Sequence, residues 1–451
     1  MFVNGNRAHG TLGAALVLVA LAFVGAAATS DKAHAATYTV LHTFCPDADY
    51  PNCANDGEDP WGTPVVAPDG TVYGTAHDGG AHGAGVLYAL VPKGASYRFH
   101  VLYHFCAAAS CTDGLYPWGR LIIDTKGNVY GVAGGGAYFG GEVFKFAPNA
   151  SRTGGKLSKI YDFCAKGGSC PDGNGPTGIA YIPSAPGAPY DGKSPLYGGA
   201  GGGNSDSGGI VFKLESVKDR TLRRETTLYN FCSTTDCTDG RSPMDASVDA
   251  AGDVLGLTDA GGTYNRGVAF KVDSSGKETV LHSICDDQTT CFEGRTLNYS
   301  SGGLVLDSAG NLWGEEEDGG ANNYGVLFEL QRLSAKYKYV KRRDFCSPGT
   351  CLDGANPVGG LLADGSGNLF GVTEFGGQQN LAVGGTVFEL KGGTHFHTLY
   401  AFCAQSGCTD GRQPIGTLTS DSAGNLYGAT SSGGNIQPNG AGRGVVFKLT
   451  P

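Results

Sequence analysis

Several ionisable side chains of this sequence recur at fixed places in a repeat. Among those that do not recur are the ones able to do chemistry. Three residues past the glycine of a recurring Leu-Tyr-Gly-like run stand His77, Asp259, Glu317, Glu374 and Ser431. Two further copies of the run have only glycine there. Asp78, Glu315, Glu316 and Asp318 flank these positions, and residues 314–318 read Gly-Glu-Glu-Glu-Asp. Crowded carboxylates raise one another's pKa or recruit a cation. A histidine among them can exchange protons in the manner of a general acid–base catalyst. One reading is therefore a lyase or hydrolase with His77 and either Glu317 or Glu374 as the acid–base pair, with a divalent cation as its only implied cofactor. The other is a polar rim, formed by His77, Asp78, Asp259, Glu317, Asp318, Glu374 and Ser431, that holds a ligand without transforming it. The sequence lacks a histidine pair, a nucleophile motif and a metal triad, which favours the binder. The glycine-only copies would leave a one-sided pocket, which favours the enzyme.

Other candidates have plainer explanations. An acidic residue follows the second cysteine of every copy: Asp56, Asp113, Asp172, Asp239, Glu293, Asp353 and Asp410. A single site needs no sevenfold recurrence, so these carboxylates read as caps on backbone amides in a tight turn. Turns of the form Asp-x-x-Gly-Asn lack the alternating oxygen ligands and terminal glutamate of a calcium loop and read as hairpin turns. Trp61 and Trp118 could stack on sugar rings, but the same slot holds Met244, Val358 and Ile415. That variety reads as apolar packing between structural units.

The elements that must position these residues follow from the repeat. All 14 cysteines fall into seven local pairs: Cys45–Cys53, Cys106–Cys111, Cys164–Cys170, Cys232–Cys237, Cys285–Cys291, Cys346–Cys351 and Cys403–Cys408. Each copy carries four short runs rich in Val, Leu, Tyr and Phe, bounded by Gly, Asp and Pro, which is the strand signature. In the last copy they are 398–402, 415–420, 425–429 and 444–449. No run of helical period follows residue 35. Seven four-stranded units predict an all-β, seven-bladed propeller over residues 36–451. If the Pro-x-Gly-x-Leu run is innermost in each blade, the first strand of the chain must complete the last blade. The cysteine loops and the Gly-Gly loops then share one face, and the Asp-x-x-Gly-Asn turns lie on the other.

Residues 1–35 read as a secretory signal peptide: Arg7, an apolar run over 12–28, and Ala33-His34-Ala35 before the cut. Export makes disulfides the natural use of the paired cysteines. Each repeat offers two sulfurs and no recurring histidine, which is too few for zinc. Loss of Arg7, Asp31 and Lys32 changes the formal charge from −10 to −11. An acidic surface argues against nucleic acid and anionic lipid as partners. No second long apolar stretch follows, so no membrane span is expected after cleavage, and a monomer is expected.

Residues 421–428, Asp-Ser-Ala-Gly-Asn-Leu-Tyr-Gly, with Gly433-Gly434 and the Val446-Phe447-Lys448-Leu449 run, recur upstream. In these elements the chain resembles the Gloeo/Verruco (GloVer) tandem repeat of bacterial secreted and surface proteins. The resemblance implies a propeller-like fold and brings no catalytic residues or cofactor. Members often carry a surface anchor beside the repeats. Here the sequence stops two residues after its last strand-like run, so a soluble secreted, periplasmic or surface-associated protein is expected. Its partner would be a glycan, a peptide or an envelope component.

Overall fold

The computed structural model describes residues 36–45, 53–185, 187–203, 208–218, 222–285, 291–295, 302–334, 336–346, 350–378, 384–434 and 442–451. The expected leader over 1–35 lies outside the described residues. The strand-like runs form seven four-stranded antiparallel sheets. Helical geometry among the described residues is confined to three single 3-10 turns: Ala109–Cys111, Thr235–Cys237 and Ser406–Cys408.

Blade one comprises Val65–Val66, Val72–Ala76, Val86–Lys93 and Ser96–His104, from the innermost strand outwards. Each blade takes its outermost strand from the next copy of the sequence repeat. The seventh therefore needs the start of the chain. Arg412–Ser420, Leu426–Ser432 and Val445–Thr450 are completed by Thr37–Thr43, which pairs antiparallel with Val445–Thr450. This clasp closes the ring and removes two sheet edges.

Two recurring sequence features have direct packing causes. The phenylalanine before the first cysteine leads out of one blade and packs on the Val-Phe phenylalanine of the next. Phe105 meets Phe144 at 5.4 Å and Phe231 meets Phe270 at 4.8 Å between ring centroids, both edge-on. The glycine of Leu-Tyr-Gly makes room for that second ring: a Cβ on Gly131 would lie 2.7 Å from Phe144 Cζ.

Between blades the chain is locked at two points. In six of the seven blades the innermost strand enters through an x-Pro step. The proline packs on the glycine of Gly-x-Val-Phe in the preceding blade, where a Cβ on Gly85 would lie 2.6 Å from Pro117 Cδ. The residue before the proline donates its N–H to the carbonyl just before that glycine. Examples are Tyr116 N to Ala84 O at 2.8 Å and Gln413 N to Gly384 O at 2.7 Å. This geometry puts Asp59, Tyr116, Ser242, Asn356 and Gln413 at φ between 49° and 56°, a left-handed conformation costing about 1 kcal/mol or more per L-residue.

Deleting residues 37–44 tests the clasp. It removes the whole pairing with Val445–Thr450 and the fully buried Phe44. The loss should exceed the roughly 3–5 kcal/mol of a buried Phe→Ala change, measured by urea unfolding. An unchanged midpoint would refute the clasp.

Candidate functional site

The innermost strands surround a central cavity of about 680 Å³, within the 300–1,000 Å³ range of small-molecule sites. Its wall includes Trp61, Trp118, Met244 and Ile415 from the slot after the proline, with His77 at the mouth. Gly201 and Gly202 of blade three also line it. The lining comes from all seven blades, and only one of the two glycine-only copies, blade three, contributes that stretch to it.

The tryptophan slot keeps the expected interblade packing at Met244 and Val358 and in part at Trp118, which packs on the core shared by blades two and three, and departs from it at Trp61. Met244 and Val358 are buried, but Trp61 is 42% exposed and Trp118 half-buried. The slot points along the channel wall, so a side chain too large for it projects into the cavity. Trp118 donates Nε1–H to Pro176 O at 2.9 Å, which fixes its ring against blade three. Trp61, His77 and Tyr116 form a continuous stack, with centroids 4.5 Å and 5.0 Å apart and planes within 29° and 13°. His77 Nδ1 is 2.6 Å from Asp78 Oδ2, and its backbone N–H donates to Asp59 O at 2.9 Å. Deeper in, Arg120 of blade two reaches past blade three to Asp245 of blade four, Nη2 to Oδ2 at 3.2 Å. Burial raises the Asp245 carboxyl above its ordinary range although Arg120 pulls it down.

Other rim positions meet pre-proline residues: Glu374, Glu317 and Asp318 meet that of the following blade, and Ser431 meets that of its own. Glu374 Oε1 accepts from Gln413 Nε2 at 3.2 Å, and Ser431 Oγ donates to Gln413 O at 3.1 Å. Asn356 donates to the Glu317 carbonyl and to Asp318 Oδ1, while Arg295 pairs with Asp318 Oδ2 at 3.0 Å. Asp259 is half-buried at the same level of blade four. Among all of these, His77 alone belongs to the cavity wall. Its carboxylate partner is Asp78 rather than Glu317 or Glu374, which stand on blades five and six.

Residues 314–318 do not form one acidic face, because the strand ends at Glu316 and the run passes from its buried interior to the rim. Glu315 and Glu316 are buried, while Glu317 and Asp318 reach the rim. Glu315 Oε1 accepts from Gly360 N at 2.9 Å, next to Gly359 of the cavity wall. Burial pushes its carboxyl up to about 8, against the opposing effect of that hydrogen bond. Glu142 stands where the other blades have Val, Ile or Thr. Burial first, and Asp162 second, raise it to about 8.

All seven cysteine pairs are disulfide-bonded, on the same face as the cavity mouth. Within these loops the recurring carboxylate caps backbone amides and receives a donor from the outer strand. Asp113 accepts from Ala107 N, Ala108 N and Tyr103 Oη, and Asp410 from Ala404 N, Gln405 N and Tyr400 Oη. On the opposite face Asp421 accepts from Ala423 N, Asn425 N, Asn425 Nδ2 and Tyr427 Oη. Both kinds of carboxylate are occupied by the fold. Among the described residues no three His, Cys, Asp or Glu side chains gather as a metal site.

The Gloeobacter/Verrucomicrobia repeat matches residues 28–178 and 287–451. The chain belongs to this repeat family. The unmatched part of the family pattern, 179–286, contains the Pro-rich insertion of copy three, whose fully buried Tyr190 packs edge-on against Tyr130 at 5.3 Å. Among solved structures the chain is similar to polysaccharide lyase Uly1 at 11% identity and a TM-score of 0.49, over 88% of this chain and 90% of that one. It is also similar to the PQQ-bound aldose sugar dehydrogenase of Streptomyces coelicolor at 12% identity and 0.38, over 92% and 98%. Such distant likeness assigns neither substrate nor chemistry. No curated protein matches the sequence.

In this family member Glu315 and Glu142 set a pH dependence of stability. Their folded-state pKa lies near 8, above an unfolded value of about 4.3. Their neutral forms favour the fold below pH 4.3, and that contribution is lost as pH rises to about 8. Urea unfolding at pH 5 and pH 9 should show each Glu→Gln variant gaining on the wild type as pH rises. The gain is at most about 1.4 kcal/mol per pH unit per site. Parallel pH profiles would refute the assignment.

Proposed function

We propose that this protein is an exported, non-catalytic binding propeller whose central cavity receives a carbohydrate ring. The observation that carries the reading is Trp61. It is large, 42% exposed and placed on the cavity wall at the head of the Trp61–His77–Tyr116 stack, in a slot that blades four and six fill with buried aliphatic side chains. Flat aromatic faces match the C–H faces of a sugar. The Arg120–Asp245 pair offers donors and an acceptor to its hydroxyls with no net charge. Seven disulfides fit an oxidising compartment.

Titration of the mature protein with a panel of neutral and acidic disaccharides, followed by calorimetry, tests the proposal. Trp61→Ala and Trp118→Ala should each weaken the best ligand about tenfold or more, the range of an interface hot spot, with near-UV circular dichroism showing the fold retained. Undiminished affinity in both variants, or no disaccharide bound by the wild type, would overturn it.

A second reading, a lyase or hydrolase, is favoured by the His77–Asp78 pair. Its imidazole lines the cavity and a carboxylate 2.6 Å away orients it. It predicts slow cleavage of a bound oligosaccharide that His77→Gln abolishes while leaving binding within about threefold. Intact ligand after prolonged incubation with the wild type would remove this reading.

A further inference from the structure

Phe139 breaks the rule of its own position. It lies in the Gly-Gly loop of blade two, on the face of the cavity mouth, at φ 59°. The corresponding residues of blades one, four and five are Gly83 at 67°, Asn265 at 55° and Asn323 at 59°. Glycine and asparagine are the residues that occupy left-handed backbone at little cost. Phenylalanine is among the least suited. Nor does burial compensate, because Phe139 is 70% exposed and its neighbour Tyr138 55%. Folding gains little from either ring in this place.

The location of the pair gives the missing gain. The carbonyl of Gly140, adjacent to Phe139, accepts from Gly175 N at 2.8 Å, and Gly175 lines the cavity. Tyr116, 38% exposed, ends the aromatic stack on the same blade. Exposed rings therefore stand at both junctions of blade two, Tyr116 against blade one and Phe139 beside the contact with blade three. The loop that leads to them carries only glycine and alanine, Gly135, Gly136 and Ala137, rather than the aliphatic groups of a protein-docking patch.

We propose that Tyr138 and Phe139 form an outer subsite for a polysaccharide chain that enters the cavity, so that the ligand is a polymer longer than the cavity. This rests on the carbohydrate reading of the cavity. A net charge of −10 disfavours a polyanion and the rings supply no cation, so the chain is a neutral one whose sugars present flat C–H faces.

The test compares cellohexaose and chitohexaose with cellobiose and chitobiose as probes, on wild type, Phe139→Asn, Tyr138→Ser and Trp61→Ala. Asparagine is the residue that sibling blades use at position 139. Phe139→Asn should therefore leave Tm unchanged or raise it by about 1–2 °C, while weakening the hexasaccharide about five- to tenfold and the disaccharide less than twofold. Tyr138→Ser should behave likewise in binding. Trp61→Ala should weaken both lengths. Unchanged hexasaccharide affinity in Phe139→Asn and Tyr138→Ser, with Trp61→Ala still defective, would overturn the outer subsite and leave the cavity reading standing. A Tm fall of several degrees in Phe139→Asn would also overturn it, by showing that the ring serves the fold. Binding of neither probe length by the wild type would remove the cavity reading and the subsite together.

Discussion

The contact on which the ring depends is that between a proline of one blade and a glycine of the blade before it. A Cβ on Gly85, Gly141 or Gly209 would come within 2.5–2.6 Å of Cδ of Pro117, Pro176 or Pro243. Any side chain there would push neighbouring blades apart, and a small error repeated around a closed ring cannot be absorbed. The pre-proline N–H, given to the carbonyl before that glycine, fixes the second coordinate. Together they set both the spacing and the rotation between sheets, which apolar packing between blades would leave adjustable.

That lock also builds the mouth of the cavity. To give its N–H backward while the proline packs, the pre-proline residue adopts a left-handed backbone, and its side chain then meets the end of the second strand of the preceding blade. Tyr116 thus meets His77, Gln413 meets Glu374, and Asn356 meets Asp318. Each junction is a slot for two variable residues on an invariant frame. Where both are small, as Gly201 and Ser242 are, the wall opens. Where one is aromatic, a ring is presented. The cost of the strained backbone is borne by the scaffold, and the identity of the side chain is left to the ligand.

Much of this was legible in the sequence because repetition averages out local ambiguity. The blade count, the disulfide pairing, the clasp by the first strand and the shared face of cysteine and Gly-Gly loops all follow from order and spacing. The capping role of Asp113 and its counterparts followed from recurrence. The site was less legible. Trp61 and Met244 occupy one slot in the sequence, but a slot that borders the channel buries methionine and exposes tryptophan, and volume against available space does not appear in a repeat alignment. The acidic run at 314–318 reads as one cluster in sequence, but burial divides it, with Glu315 and Glu316 enclosed in the strand and Glu317 and Asp318 at the rim. The partner of His77 was sought on other blades, whereas the adjacent Asp78 supplies it. A signal for the outer subsite was present nonetheless: Phe139 stands where Gly or Asn stands in three sibling copies.

Departures from a repeat separate by their burial. Glu142 replaces an aliphatic residue and Glu315 faces a neighbouring blade, and both are enclosed. Their cost is desolvation, carried by the protonated form, and they tie stability to pH without contacting solvent. Phe139 departs from its siblings toward solvent, and Trp61, like Trp118 in the same slot, is large and partly exposed although it stacks on His77. A buried departure can be stabilised by compensating changes around it. Phe139, exposed and on left-handed backbone, has little such compensation within the chain. On the proposed carbohydrate reading, the ligand would therefore lie on blades one and two rather than on the acidic rim of blades four to six.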